Sequence, residues 1–586
     1  MNKLLKFFTP YTVHILTLVV VAYAQVSATL ALPDYIAKIV DKGIMAKDMG
    51  QIYQNGLMML LLTLVAGILA TITGFLAARI ATGVARDVRL AVFTRVESFA
   101  ISEFDTFSTA SLITRSTNDI QQIQMATTMI LRMMLLAPFM AVIGFQKALS
   151  NAPSMGWIIG AGVVALIVMI VVIFSIGVPK FKLLQKKVDK LNLVTRENLT
   201  GLRVVRAYNN EQREQQKFEL ANQDVTALNL FTNRLMVVMQ PMMMLILNLS
   251  VLAIVWFGAG LIDHGTIQIG NMLAFMQYAM QVIWSFLMIS IVFIMVPRAS
   301  VSANRVAEVI AVQPSITDPD APVVLPKSTA AKVEFKNVTF KYPGAEVPVL
   351  TDISFVAEPG QTTAIIGGTG SGKTTLINLI PRFYDVTEGA VLFDGVDVRQ
   401  ATQHNLHARI GYAPQKSMLF SGTVKSNITY GNQKASASLV EQAAAVAQAD
   451  QFIRTLPKKF DNEIAQGGAN VSGGQKQRLS IARAIAAKPG VYLFDDSFSA
   501  LDFKTDAALR RALKDTLDRQ TVIIVGQRIS TIADADKIIV VNDGKIVGQG
   551  RHNELLKTNR VYQEIARSQL SDQELESLEL ANGGHA

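Results

Sequence analysis

The 586-residue sequence contains no cysteine, so it carries neither a disulfide framework nor a thiolate metal site. That absence suits a chain whose soluble part faces a reducing cytosol. Charge is scarce too: 17% of residues are Asp, Glu, Lys or Arg, against 50% hydrophobic. A mean hydropathy of +0.33 is too high for a soluble protein, and the apolar residues crowd into the first half. No acidic residue sits deep in the long apolar runs, which leaves a proton-coupled mechanism without a relay.

A bilayer crossing needs about 20 apolar residues. Six stretches qualify, at roughly 12–32, 56–78, 133–149, 155–178, 236–262 and 272–296. Pro138, Gln146 and Lys147 interrupt the third. The start imitates a secretory signal, with Lys3 and Lys6 before an apolar run and Ala22-Tyr23-Ala24 as a mock cleavage site. Its run is longer than an ordinary signal core and further spans follow, so it reads as the first helix. Basic residues orient the bundle. Residues 179–234 carry eleven Lys/Arg, and Arg79, Arg86, Arg89 and Arg95 follow the second span. The intervening loops are poor in basic residues, with Lys38, Lys42 and Lys47 in the first, Lys147 near the second and none over 263–271. The positive-inside rule therefore puts the N-terminus, both long loops and the C-terminal half in the cytoplasm. Basic loops facing anionic lipid account for the net charge of +10, with no nucleic-acid partner required.

Both long loops keep apolar residues at helical spacing, over 85–99 and 182–197, so the spans are expected to continue into the cytosol as helices. Seventeen added residues would reach roughly 25 Å. Short polar stretches mark the tips, at 103–111 and 208–215. Residues 314–327 hold four prolines with Asp and Ser, a linker composition. The expected organisation is a membrane domain over 1–312, a linker over 313–330, a nucleotide-binding domain over 331–570 and a frayed tail over 571–586.

The second half holds the chemistry. Gly367-Gly368-Thr369-Gly370-Ser371-Gly372-Lys373-Thr374 matches G-x-x-x-x-G-K-[ST] between an apolar strand and a helix opening at Thr375. Glycines let backbone N–H groups turn onto phosphates at a helix N-terminus. Lys373 is placed to reach the β- and γ-phosphates of ATP, and Thr374 to ligate Mg²⁺. Val491-Tyr492-Leu493-Phe494-Asp495 supplies a buried strand ending in a carboxylate for the same cation. Between the two lies Val471-Ser472-Gly473-Gly474-Gln475.

That Ser-Gly-Gly-Gln run resembles the signature of the ATP-binding cassette (ABC) family, and the family's other elements follow in order. The resemblance implies that Tyr342 stacks on adenine, that Gln415 in the Q-loop approaches the metal, and that Ser499 to Asp502 form the D-loop. It implies an all-α six-helix transmembrane domain followed by an α/β P-loop cassette, with loop tips that dock on cassettes. In this family two cassettes bind face to face, and each ATP lies between one P-loop and the other chain's signature. Ser472, Gly473, Gly474 and Gln475 would therefore serve the partner's nucleotide.

Two catalytic positions, and a third just before the signature, depart from the family pattern. The general base, normally Glu, is Asp496, and the switch histidine is Gln527. Gln466 also stands where glutamate is common. Asp is shorter than Glu by one C–C bond, roughly 1.5 Å. A base must come within about 2.6–3.2 Å of its water. Gln donates a hydrogen bond but neither titrates nor carries charge. With an intact signature beside this weakened pair, the chain resembles the degenerate-site subunit of heterodimeric bacterial multidrug exporters. Leu32-Pro33-Asp34-Tyr35, Ile39-Val40-Asp41-Lys42-Gly43 and Arg196-Glu197-Asn198-Leu199 add to that likeness.

The expected partners are a second half-transporter subunit, the lipid bilayer and small amphipathic substrates. Methionines at 236, 239, 242, 243 and 244 and at 272, 276, 280, 288 and 295, with Gln277, Gln281 and Trp284, suggest an adaptable cavity. Core filler is the competing reading of the methionines. The rival functions are a homodimeric lipid or peptide exporter and a nucleotide-gated regulator or channel.

Overall fold

A computed structural model describes residues 2–326 and 330–569. The expected C-terminal tail lies outside those residues. The chain divides into two compact units, one of residues up to Glu97 with Thr109–Val312, the other of Ser98–Ser108 with residues from Gln313 on.

Six helical segments of the first unit are long and apolar enough to cross a membrane: Leu4–Ile44, Met49–Glu97, Thr109–Asn151, Pro153–Thr200, Glu211–Asp263 and Ile269–Ala311. The predicted cytosolic extensions are helical, since single helices run over Met49–Glu97 and Gly156–Thr200. Asn118–Asn151 runs straight through Pro138. In a bundle, neighbouring helices can satisfy the backbone groups that proline frees. The bundle core joins Val26, Leu30, Ile158, Phe275, Tyr278 and Val282 from the first, fourth and sixth segments.

The first segment continues beyond its predicted end. Asp34, two residues past it, is ion-paired with Lys147, and the Tyr278 hydroxyl donates to its other oxygen at 2.6 Å. Composition gave no hint of this partly buried polar tie among three segments.

The loop tips differ from expectation in part. At the first, a short helix occupies Ile101–Phe107 and breaks at Ser108, whose φ is +55°. At the second, the short helix is Leu202–Ala207, upstream of the polar stretch at 208–215. Gly201 ends the preceding helix and Asn209 turns at φ +52°. Glu211 and Glu214 then open the next long helix, where acidic residues favour the dipole. The linker is no free spacer: Ile316 and Leu325 are buried, and the Val323 N–H donates to the Gln400 carbonyl at 2.8 Å.

The second unit is the α/β part. Its larger sheet has strands in the order Lys545–Gly550, Lys537–Asn542, Thr362–Gly367, Thr521–Val525, Val491–Asp495 and Ile410–Ala413. All but the first run parallel. Val491–Asp495 and Thr521–Val525 are buried throughout, as parallel strands covered on both faces must be. A smaller antiparallel sheet orders Leu350–Ala357, Val333–Phe340, Glu388–Phe393 and Val396–Asp397. Phe335 stacks on Phe355 at 4.6 Å in the core between them, with Phe393 and Leu376. Each such side chain contributes about 1.5–3 kcal/mol by burial.

Candidate functional site

Strand register builds the site. Ile365 pairs with Val525, and Val525 with Asp495, so three parallel strands end within two residues of one another. Their following loops, together with the one after Ile410–Ala413, meet at the carboxyl edge of the sheet, where open α/β folds bind ligands.

The glycine loop fits a triphosphate for identifiable steric reasons. A Cβ on Gly367 would lie 2.1 Å from the Val541 carbonyl oxygen, and one on Gly372, at φ +97°, would strike Leu350. These two glycines let the loop pack on the sheet. A Cβ on Gly368 or Gly370 would meet nothing within 4 Å, so these two leave the approach to the loop open. Lys373 opens the helix Lys373–Leu379, and its ammonium donates to the carbonyls of Gly367 and Gly368 at 3.0 and 2.7 Å. Burial lowers its pKa, against the nearby charges of Asp496 and Asp495.

Thr374 donates to Asp495 at 3.2 Å. Burial pushes the Asp495 carboxyl up to about 6, with the Asp496 charge adding to the rise and Thr374 and Lys373 opposing it. A hydroxyl, a carboxylate and the Gln415 amide oxygen form an all-oxygen set, which suits Mg²⁺ completed by phosphate and water. Among the described residues no group of three or more His, Asp or Glu could hold a metal ion by itself.

Asp496 departs most from an open catalytic base. Its backbone is left-handed at φ +48°, a conformation Asp tolerates better than most residues. Its Oδ2 accepts two amide hydrogen bonds, from Gln415 at 3.1 Å and from Gln527 at 2.9 Å. Burial raises its carboxyl above the ordinary range, with the Gln415 bond and the Lys373 charge opposing. One carboxylate oxygen of Asp496, a residue only 8% exposed, is thus held by both neighbours that the family would aim at phosphate, metal or water.

One cleft is lined by Thr369, Gly370, Gly372, Lys373, Thr374, Thr375, Gln415, Asp495, Asp496 and Gln527. Tyr342 joins through its hydroxyl, 2.9 Å from the Thr375 hydroxyl, and its ring is braced edge-on by Phe340 and Tyr384. No signature residue lines this cleft. Ser472 caps the helix Gly473–Ala486 in a reciprocal box with Gln475, and Gly473 faces open space. The D-loop is fixed behind it: Gln477 accepts from the Ala500 N–H at 3.1 Å, and Asp502 caps Phe503–Thr516. Sequence reasoning missed Ser497, whose hydroxyl donates to the Ala413 carbonyl at 2.7 Å and ties the Asp495 strand to the Q-loop strand. It also missed Gln569, which holds the Gln527 segment.

Known proteins match along this architecture. Residues 15–286 fit the family model described as ABC transporter transmembrane region, and residues 350–499 the one described as ABC transporter. An uncharacterized ABC transporter ATP-binding protein of Mycobacterium tuberculosis is 41% identical over 563 residues, 96% of either chain. An ATP-dependent lipid A-core flippase of Desulfotalea psychrophila is 31% identical over 565 residues, 94% of this chain and 96% of its own. In fold, the chain is similar to the structure of a bacterial Atm1-family ABC exporter with ATP bound. That likeness has a TM-score of 0.79 at 24% identity and covers 96% of this chain and 99% of the other.

Proposed function

The chain belongs to the ABC transporter family, as a six-helix membrane region fused to its own ATPase cassette, and from that premise we propose that it is the degenerate-site subunit of a heterodimeric exporter of amphipathic compounds. It is a multi-pass membrane protein with a cytoplasmic nucleotide-binding domain, and its family couples ATP hydrolysis to transport. The observation that carries the proposal is the double amide hold on Asp496 beside an open signature helix in the same cassette.

In this reading Lys373 and the Gly368–Gly370 backbone bind the β- and γ-phosphates, and Tyr342 stacks on adenine. Thr374, Asp495 and the Gln415 amide oxygen hold Mg²⁺, which when bound neutralises phosphate charge. Asp496, short and held, activates water poorly, so this site keeps its ATP. Ser472, Gly473 and Gly474 close over the partner's ATP, where a glutamate base and a histidine do the hydrolysis. Cassette closure, passed through the long helices, turns the substrate cavity outward, and hydrolysis resets it.

The sixth segment supports the substrate class. Gln277 and Trp284 are exposed on it, Trp284 to 45%, and the buried Gln281 Oε1 has no hydrogen-bond partner. A polar acceptor left unsatisfied in an apolar bundle costs free energy unless water or a ligand meets it. The methionines divide between roles: Met236, Met239 and Met243 pack on the fourth segment, whereas Met242 and Met244 are exposed. Replacing Gln281 or Trp284 by Ala is expected to reorder the compounds transported into vesicles while basal ATPase activity stays similar. An unchanged order in both variants would refute the cavity assignment.

A second reading, a lipid exporter built from two copies of this chain, draws support from the flippase relative. It predicts that the chain alone reconstitutes substrate-stimulated ATPase activity. The heterodimer reading predicts that it does not.

A further inference from the structure

We propose that Gln569 is a positioning residue for the ATP site: it clamps the backbone around Gln527 and so sets how this site tells ATP from ADP. The inference rests on the reading of Gln527 as the residue that meets the γ-phosphate. Gln569 lies just past the helix Arg560–Arg567, 40 residues or more from the segment it holds. Its amide nitrogen donates to the Gln527 carbonyl at 2.7 Å, and its amide oxygen accepts from the Ile529 N–H at 2.9 Å. One side chain therefore pins both ends of the turn that carries Gln527.

The clamp is anchored at both sides. Tyr562 and Ala566 of the last helix are fully buried and share a core with Ile529 and Ile532 of the switch segment. The Gln569 N–H also donates to the Ala566 carbonyl at 3.1 Å, which fixes its own backbone. On the other side, the Gln527 side chain donates to Asp496, itself held by Gln415. A continuous chain of hydrogen bonds thus runs from the C-terminal helix to the floor of the nucleotide cleft. Gln527 has two amide hydrogens, one of which is spent on Asp496. The second can meet a γ-phosphate only while the turn holds the amide at the cleft. Releasing the turn lets the side chain leave, and the preference for a third phosphate goes with it.

Photolabelling of this chain by 8-azido-ATP in the full co-purified transporter, with subunits separated afterwards, reads its own site. Competition by ATP and by ADP gives the preference. A hydrogen bond to a charged group is worth about 1.5–3 kcal/mol, or at least about tenfold. Gln527→Ala and Gln569→Ala are each expected to reduce the ATP-over-ADP preference about tenfold. The double variant should lose no more than either single one, because both remove the same contact. Gln569→Glu keeps the acceptor for Ile529 but loses the donor to Gln527, and should match Gln569→Ala. Exposure of Gln569 on the surface spares the fold in both variants.

A full preference in Gln569→Ala alongside a lost one in Gln527→Ala would overturn the positioning role alone, as would losses that multiply in the double variant. A Gln527→Ala protein with undiminished preference would overturn the phosphate contact and the positioning role together.

Discussion

Gly473→Asp is expected to remove nearly all ATPase activity from the assembled transporter, even though the substituted chain is the one proposed to carry the weak base. Gly473 is the first residue of the helix Gly473–Ala486, and a Cβ there would meet nothing within 4 Å. An aspartate fits without disturbing this chain, and the helix N-terminus favours its charge. Gly474 would be a poorer probe, since its Cβ would press on the Ala500 carbonyl at 3.1 Å. The loss arises at the interface between cassettes. The capping box uses the N–H groups of Ser472 and Gln475, which leaves those of Gly473 and Gly474, with no intrahelical partners, to meet phosphate from the opposite chain. A carboxylate about 4 Å from one phosphate charge costs about 4 kcal/mol at an effective dielectric of 20. That is roughly three powers of ten in rate. Asp496→Asn in the same chain should lower activity within about a factor of three, because a base contributes only where it reaches water.

The converse substitution should create activity. Asp496→Glu with Gln527→His replaces both catalytic departures of this cassette. The longer side chain advances its carboxylate by about 1.5 Å, one C–C bond. Histidine restores a group that can titrate and carry charge at the γ-phosphate. It also removes the amide that donates to Asp496 Oδ2 at 2.9 Å, freeing the base to meet water. General-base catalysis contributes 10²–10⁴-fold where geometry permits. Turnover at this chain's site is expected to rise at least about tenfold in the double variant, and less in either single one. Turnover can be read with the partner's base replaced, so that only this site reports. No gain in the double variant would mean that neither departure limits hydrolysis.

What the sequence made legible follows the range of each interaction. The P-loop and the strand into Asp495 are contiguous strings, so their chemistry reads directly. The six membrane helices follow from length and hydropathy, and the proline in the third did not break it, because a bundle supplies what proline removes. Asp496, Gln415 and Gln527 were each identifiable by position, but not the bonds among them, which span 81 and 31 residues. Gln569 gave no signal, since its partners lie across a fold that no local pattern describes. The second loop helix was expected too far downstream because polar composition outweighed two backbone markers. Gly201 and the left-handed Asn209 bracket Leu202–Ala207 instead. The linker composition suggested a tether, but Ile316 and Leu325 are apolar enough to dock, and they do.

The proposed degeneracy of this site is tested most directly by ATP turnover per bound nucleotide, measured on this chain purified without its partner and on the assembled pair. The chain alone is expected to bind ATP with Mg²⁺ yet turn it over at least about tenfold more slowly than the pair. Equal turnover per site in the two preparations would contradict it, and would make Asp496 a working base despite its two amide partners.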